Sequence, residues 1–133
     1  MTIQRHNPVG LHRTPGYHHV TVVPAGRLAF LAGQVPLDAD GTVVGIDDVL
    51  VQVDQVAANT LVALRSVDAS PADVVRTVIY VVSDETAVLA SVWERFNSSP
   101  IAEAFTTAST LLGVAQLGFT GQLVELDVTA AVS

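Results

Sequence analysis

Residues 74–82 read VVRTVIYVV, and this run decides the fold class. Its β-branched and aromatic side chains favour extended backbone. A run this apolar is typical of a strand that is buried on both faces, with Arg76 and Thr77 near an edge. The sequence therefore predicts a strand over residues 74–82 at the centre of a sheet.

Helical patterns flank this strand on both sides. Upstream, apolar residues recur at three- and four-residue spacing and predict a helix over residues 47–67. Two aspartates open that segment, where carboxylates cap free N–H groups. Downstream, Ser83–Asp84 precedes a second predicted helix over residues 85–96.

Certain side chains on these helices are predicted to be structural. Gln52, Gln55 and Asn59 lie to one side of the apolar stripe of the first helix, where amides satisfy the backbone of neighbouring elements. Trp93 and Phe96 on the second helix are predicted core residues.

The remaining strands complete the element order. Residues 18–23 (HHVTVV) and 28–32 (LAFLA), separated by Pro24–Gly26, predict a β-hairpin, and residues 42–44 predict a brief third strand. Residues 105–115 and 122–131 are the last two predicted strands, joined by a glycine-bounded turn. The order β-β-(β)-α-β-α-β-β predicts one α+β domain over residues 1–133, with two helices on one face of a mixed sheet.

Composition restricts the partners of this domain. Half of the 133 residues are hydrophobic and only 14% are charged, which favours self-association because a small monomer would expose apolar surface. The net charge is −7 and the six basic residues are scattered arginines, so nucleic-acid binding is disfavoured. There is no cysteine, no apolar run of membrane-spanning length and no signal-peptide core, and the expected location is the cytoplasm.

Five motifs in succession carry a resemblance to a known family. They are Gly16–Tyr17, Ala32-Gly33-Gln34-Val35-Pro36 with Gly41–Gly45, Gln52-x-x-Gln55-x-x-x-Asn59, Asp73–Val81, and Gln116–Leu117 followed by Leu123–Ala130. In this order and spacing, the chain resembles the RidA (YjgF) family from about residue 14 to residue 131. Each motif alone is weak, and their succession is what carries the resemblance.

The resemblance implies a chorismate-mutase-like, YjgF-like two-layer sandwich that forms a homotrimer. Ligand clefts would lie between adjacent subunits, and no cofactor or metal ion would be needed. The best-known members of the family are imine and enamine deaminases, which hydrolyse 2-aminoacrylate-derived products to a keto acid and ammonia.

Three residues match the positions that act in the family. Glu125 matches the residue that holds or activates the hydrolytic water, so it is the expected catalytic acid/base. Tyr17 matches the tyrosine that borders the ligand, and Gly33 matches a glycine whose N–H faces it. The alternatives are an interface-paired glutamate, a half-buried aromatic residue and a turn glycine.

Three other positions depart from the family pattern. Ser109 stands where the family has the arginine that clamps the substrate carboxylate, Ala32 where it has a serine, and Ala90 where it has an asparagine. Arg13 is the one arginine near Tyr17 in the sequence that could compensate. These losses predict poor activity on 2-iminopropanoate.

Adjacent histidines are a feature of this sequence. His18 and His19 point to opposite faces of a strand, so at most one of them, taken as His18, enters the ligand pocket together with Ala32 and Ser109. A surface histidine is the alternative.

Two function classes remain open. The first is a cofactor-free hydrolase or deaminase that acts on a small imine, enamine or carbonyl compound, and Glu125 favours it. The second is a non-catalytic trimer that binds a small molecule, which the three lost polar groups favour.

Overall fold

Strand β4 lies where the sequence predicts it, between the two other long strands of the sheet. The computed structural model describes residues 2–133. Its elements are β1 (Gln4–His6), β2 (Val20–Val22), β3 (Arg27–Phe30), α1 (Val49–Arg65), β4 (Val74–Val82), α2 (Thr86–Asn97), β5 (Ala108–Val114) and β6 (Val124–Val132), with short 3-10 turns at Pro71–Asp73 and Ala102–Phe105. Within this range, no helix is long and apolar enough to cross a membrane.

The sheet and its two helices form the predicted α+β sandwich. The strand order is β3-β6-β4-β5, and β4 pairs parallel with β5 while the other neighbours are antiparallel. Helix α1 packs on β6, and α2 packs on β5 and on α1. The core between helices and sheet includes the completely buried Val56, Ile79, Phe96 and Leu126, and Trp93 is also buried, as predicted.

The predicted hairpin between residues 18–23 and 28–32 is wrong. Strand β2 pairs with β1 in a separate two-stranded ribbon, and β3 pairs with β6 at the other end of the chain. The polar and very short β1 (QRH) gave no strand pattern, and the long apolar β6 offers β3 a partner that local sequence does not reveal. Residues 42–44 form only an isolated bridge, from Val43 to Leu37.

Threonine hydroxyls join the ribbon to the main sheet. Thr21 of β2 and Thr107 share a hydrogen bond of 2.6 Å between their Oγ1 atoms. Thr107 also donates to the carbonyl of Val75 at 2.8 Å, and the Ala108 N–H donates to Thr21 Oγ1 at 3.0 Å. The ribbon is therefore fixed to the start of β4 and β5.

The sheet has one face covered by the helices and one that is not, which we call the open face. On β4, Thr77, Ile79 and Val81 point to the helices and are fully buried. On the open face, Arg76 is exposed and the apolar residues that alternate with it are half-buried, so the prediction that β4 is buried on both faces is wrong for the single chain. The face continues to Phe30 on β3, whose side chain is 77% exposed.

Backbone geometry sets the start of helix α1. Asp47 has a φ of 61°, in the left-handed region, so the helix cannot begin there as predicted. Asp48 caps the helix instead, because its Oδ1 accepts a hydrogen bond from the Val51 N–H at 3.2 Å.

An exposed ion pair connects the two helices. Arg95 of α2 donates two hydrogen bonds to Asp54 of α1, at 2.8 and 2.7 Å. These hydrogen bonds hold the pKa of Asp54 below its usual range. The contribution of the pair to stability is therefore present above the usual range of a carboxyl group and fades as the pH falls through the lowered pKa.

The predicted structural role of the amides on α1 is confirmed for Gln52 and Asn59, which bond backbone groups, whereas Gln55 Nε2 donates to the side chain of Asn59. Gln52 is fully buried and its Nε2 donates to the carbonyls of Gly45 and Gly121, at 3.1 and 2.9 Å. Its Oε1 accepts from the Leu123 N–H at 2.7 Å. Asn59 Nδ2 similarly donates to two backbone carbonyls, at 2.9 Å each.

Replacing the buried amide should destabilise the fold. Gln52→Leu keeps the approximate volume, but the Gly121 carbonyl and the Leu123 N–H lose their partner and the Gly45 carbonyl keeps only its bond from the Asp48 N–H. We therefore expect a loss of about 2–4 kcal/mol in urea unfolding. Gln55→Leu is the matched control, because that amide bonds only Asn59 and its loss should cost below about 1 kcal/mol. Equal losses for the two variants would contradict this role for Gln52.

Candidate functional site

A cavity of about 420 Å³ lies between α2, β5 and the loop before β2. Helix α2 supplies the largest part of its wall, with five residues at helical spacing: Thr86, Leu89, Ala90, Trp93 and Glu94. Ser109 and Leu111 line it from β5, and Pro15 and Tyr17 line it from the loop. The wall is mostly apolar, as is usual for sites that bind small molecules.

Two aromatic rings form one side of this cavity. Tyr17 and Trp93 meet edge to face, with ring centroids 6.1 Å apart. Trp93 is held from behind by Phe105, at a centroid distance of 5.8 Å, and its Nε1 lies 3.4 Å from the carbonyl of Pro15. The loop that carries Tyr17 therefore rests directly on α2.

Histidines hold Tyr17 over the cavity. The Tyr17 hydroxyl is hydrogen-bonded to His12 Nε2 at 2.9 Å, and the rings of His12 and His19 lie 4.6 Å apart. His19 Nε2 in turn bonds the carbonyl of His12 at 2.8 Å. His12 and His19 do not line the cavity themselves, so they act on it by holding Tyr17.

The Ser109 hydroxyl is fully engaged within the chain. It accepts a hydrogen bond from Thr77 Oγ1 at 2.6 Å and donates one to the carbonyl of Thr107 at 3.0 Å. A hydroxyl has a single donor hydrogen, so Ser109 has none left for a ligand in this arrangement.

Glu125 lies in a second group of residues, on the open face. Its Oε1 accepts a hydrogen bond from the buried Gln122 at 3.0 Å. Its Oε2 lies against Gly33, where a Cβ would stand 2.3 Å from that oxygen. Gly33 has no unusual φ, so the close approach of Glu125 explains the glycine better than a turn does.

The two groups of predicted site residues lie on opposite sides of the sheet. Ser109 pairs with Thr77, which points to the helices, and Glu125 alternates with Val124 and Leu126, which point to the helices as well. Ser109 therefore faces the helix side and Glu125 the open face. Tyr17 lines the cavity together with Ser109, whereas Ala32 borders a separate cavity with Leu28 of β3 and Ala63 of α1.

Sequence and structure comparisons identify the family. The sequence profile of a family described as endoribonuclease L-PSP matches residues 11–132. YyfB of the conserved Rid protein family from Yersinia pestis is 34% identical over 99% of this chain and 100% of its own, with a TM-score of 0.90. The chain belongs to the Rid (YjgF) family.

Two other solved Rid structures share the fold at lower identity. YyfA from Yersinia pestis is 22% identical over 90% of each chain, with a TM-score of 0.69. A YjgF-family protein from Neisseria meningitidis is 23% identical over 100% of this chain and 97% of its own, with a TM-score of 0.65. No curated protein sequence matches the chain.

His18 takes a different position from the other predicted ligand residues of this Rid chain. Its Nδ1 is hydrogen-bonded to the backbone carbonyl of Thr106, and it does not line the cavity. His19 is the histidine whose ring lies near Tyr17, at 5.9 Å between centroids. The structure thus gives His18 a partner within the fold.

Sequence analysis missed part of the cavity wall. Thr86, Leu89 and Glu94 were not singled out, and Trp93 was predicted only as a core residue. Their spacing with Ala90 follows one face of α2 (residues 86, 89, 90 and 93), so helical periodicity could have found most of them. Glu94, four residues after Ala90, continues this spacing, but its charge gave no reason to expect it in a mostly apolar wall.

The contact between Gly33 and Glu125 can be tested by a double-mutant cycle. Gly33→Ala should cost about 1 kcal/mol in urea unfolding, because the carboxylate must rotate away and give up its bond to Gln122. The same change in a Glu125→Ala background should cost close to nothing. Gly118→Ala is the control, since a Cβ there has nothing within 4 Å. If the losses in the free energy of unfolding caused by Gly33→Ala and Glu125→Ala simply added in the double mutant, the contact would be excluded.

Proposed function

We propose that this Rid protein forms a homotrimer that binds a small molecule in clefts between its subunits. The observation that carries the proposal is that Tyr17 and Ser109 lie on one side of the sheet and Glu125 and Gly33 on the other. A site that uses both groups needs two copies of the chain, each supplying a different half. The open face, with Phe30 77% exposed, offers surface for such an assembly.

We infer that the site works as a cofactor-free hydrolase on an imine, an enamine or a related carbonyl compound. Glu125 is the proposed acid/base. It takes a proton from water as the water oxygen adds to the imine carbon and passes that proton to nitrogen, which gives a carbinolamine. It then takes the hydroxyl proton of the carbinolamine and delivers it to nitrogen as the C–N bond breaks. The sum of these steps converts an imine and water into a carbonyl compound and ammonia.

The support for this role of Glu125 is its fixed but accessible carboxylate. Gln122, which is buried, holds one carboxylate oxygen at 3.0 Å, and the absence of a side chain at Gly33 leaves room for the other. An acid held by a rigid partner keeps its orientation during proton transfer, at little cost in side-chain entropy.

Efficient hydrolysis of 2-iminopropanoate is not proposed. That substrate carries a carboxylate, and Ser109 brings neither a charge nor a free donor to the position of the family arginine. A charged hydrogen bond contributes about 1.5–3 kcal/mol, so its loss is large enough to remove most of the selectivity for such a substrate.

A non-catalytic trimer that binds a small molecule is the second candidate. It is favoured by the saturated Ser109 hydroxyl and by the apolar cavity wall, which suit retention of a ligand better than chemistry on it. Cleavage of RNA is not proposed, because the net charge of −7 and the scattered arginines provide no surface for a phosphate backbone.

The assembly can be measured directly. Light scattering should give a mass three times the 13.9 kDa of the chain, because three copies that close into a ring form the proposed clefts between neighbours. A monodisperse monomer at micromolar concentration would remove the inter-subunit cleft and, with it, this account of the site.

The reaction is tested with three proteins and one substrate. Wild-type protein should accelerate 2-iminopropanoate hydrolysis negligibly, and Ser109→Arg should raise the rate by restoring a carboxylate clamp. Adding Glu125→Gln to Ser109→Arg should lower that rate by about 10²–10⁴-fold, the usual contribution of a positioned acid/base. Trimer mass serves as the control for folding.

Three results would count against this scheme. Wild-type activity equal to that of Ser109→Arg would show that the serine is not limiting. Undiminished activity after Glu125→Gln, or loss of the trimer, would make Glu125 an interface residue. The non-catalytic binding protein would then be the better-supported function.

A further inference from the structure

The charges around the cavity point to the kind of ligand that it accepts. No basic residue lines the cavity, and Glu94 is the one carboxylate in its wall. Arg95, the next residue on α2, is paired with Asp54 on α1, and this is the only ion pair within residues 2–133. The negative charge of Glu94 is therefore not neutralised by a basic side chain in that range.

The polar atoms of the wall provide little replacement for the water that an anionic ligand would lose on binding. The only hydrogen of the Ser109 hydroxyl goes to the Thr107 carbonyl, and the Tyr17 hydroxyl is bonded to His12 Nε2. A carboxylate placed against this wall would lose its hydration without gaining a charged donor, which costs several kcal/mol in general. The cavity is thus unfavourable for the carboxylate ligands that an arginine would bind.

The same wall attracts a cation. Tyr17 and Trp93 present two nearly perpendicular aromatic rings to the cavity, and aromatic surfaces attract ammonium groups. Glu94 adds a carboxylate at the rim, and the net charge of −7 raises the local concentration of cations. The apolar remainder of the wall, Leu89 and Leu111 among it, suits a hydrocarbon body.

From this geometry we propose that the cavity selects small organic cations, namely primary amines or protonated imines with an apolar body, over carboxylates. The inference rests on the proposed function, because it concerns the same cleft. In an assembled cleft, the Glu125 side chain of the adjacent copy would add a second carboxylate. Substrates would then be imines that lack a carboxylate, hydrolysed to neutral carbonyl compounds and ammonia.

The test compares three probes that share one ring and differ in charge. They are benzylammonium, benzyl alcohol and benzoate, titrated into the wild-type protein while the fluorescence of Trp93, the only tryptophan of the chain, is recorded. We expect benzylammonium to bind about 3- to 10-fold more tightly than benzyl alcohol, and benzoate to bind most weakly. The preference should shrink as salt is added.

Three variants connect the order of affinities to the wall. Glu94→Gln should abolish the advantage of the cation over the alcohol, whereas Glu103→Gln, which removes the same charge from an exposed position outside the wall, should retain it. Ser109→Arg should reverse the order so that benzoate binds most tightly. Trimer mass and melting temperature are measured for each, so that a misfolded variant is recognised.

The outcomes separate the two levels of the proposal. Benzoate binding as tightly as benzylammonium to the wild type would overturn the charge preference and leave the cleft intact. If Arg13→Ala then lost the binding of benzoate, that exposed arginine would be identified as the carboxylate clamp. A cation advantage that survives Glu94→Gln would also overturn it. Failure of all three probes to bind an intact trimer would instead reject the cavity as a small-molecule site.

Discussion

Parallel pairing of β4 with β5 is the constraint on which the rest of the structure depends. Two parallel neighbours cannot be joined by a tight turn, so the chain must cross over the sheet between them. The crossover is α2, which packs on β5 and places Trp93, Ala90 and Leu89 above Ser109 and Leu111. The cavity is therefore a product of the connection itself.

This constraint also explains why the predicted site residues are divided between the two sides of the sheet. Both helices cover the same side of the sheet, and the last strand, β6, is inserted between β3 and β4. Strand alternation then sends Leu126 into the core and Glu125 to the open face. The carboxylate and the aromatic cavity are separated by the thickness of the sheet, and only contact between copies of the chain can join them.

Much of the fold was predictable because its signals are local. The strand at 74–82 has the predicted bounds, and α1 and α2 differ from the predicted helices by one or two residues at each end. At the start of α1, Asp47 adopts a left-handed backbone and Asp48 becomes the cap. The pairing of β3 with β6 was not predictable from local pattern, because the two strands are about a hundred residues apart. Tyr17, Gly33, Ser109 and Glu125 were found only through the family resemblance, since a lone carboxylate or serine has no distinctive spacing. Glu94 escaped both approaches because a single charged residue on a helix surface has no distinctive pattern.

The ribbon of β1 and β2 anchors the loop that covers one side of the cavity. Residues 7–19, which carry Tyr17, begin and end at this ribbon, and the Thr21–Thr107 hydrogen bonds fix its position. The cost of closing a loop with fixed ends grows only slowly with its length. Insertions or substitutions in residues 7–19 can therefore reshape the mouth of the cavity while β4, α1 and the Gln52 bonds remain untouched. The architecture separates the part of the sequence that determines stability from the part that is free to diverge toward new ligands.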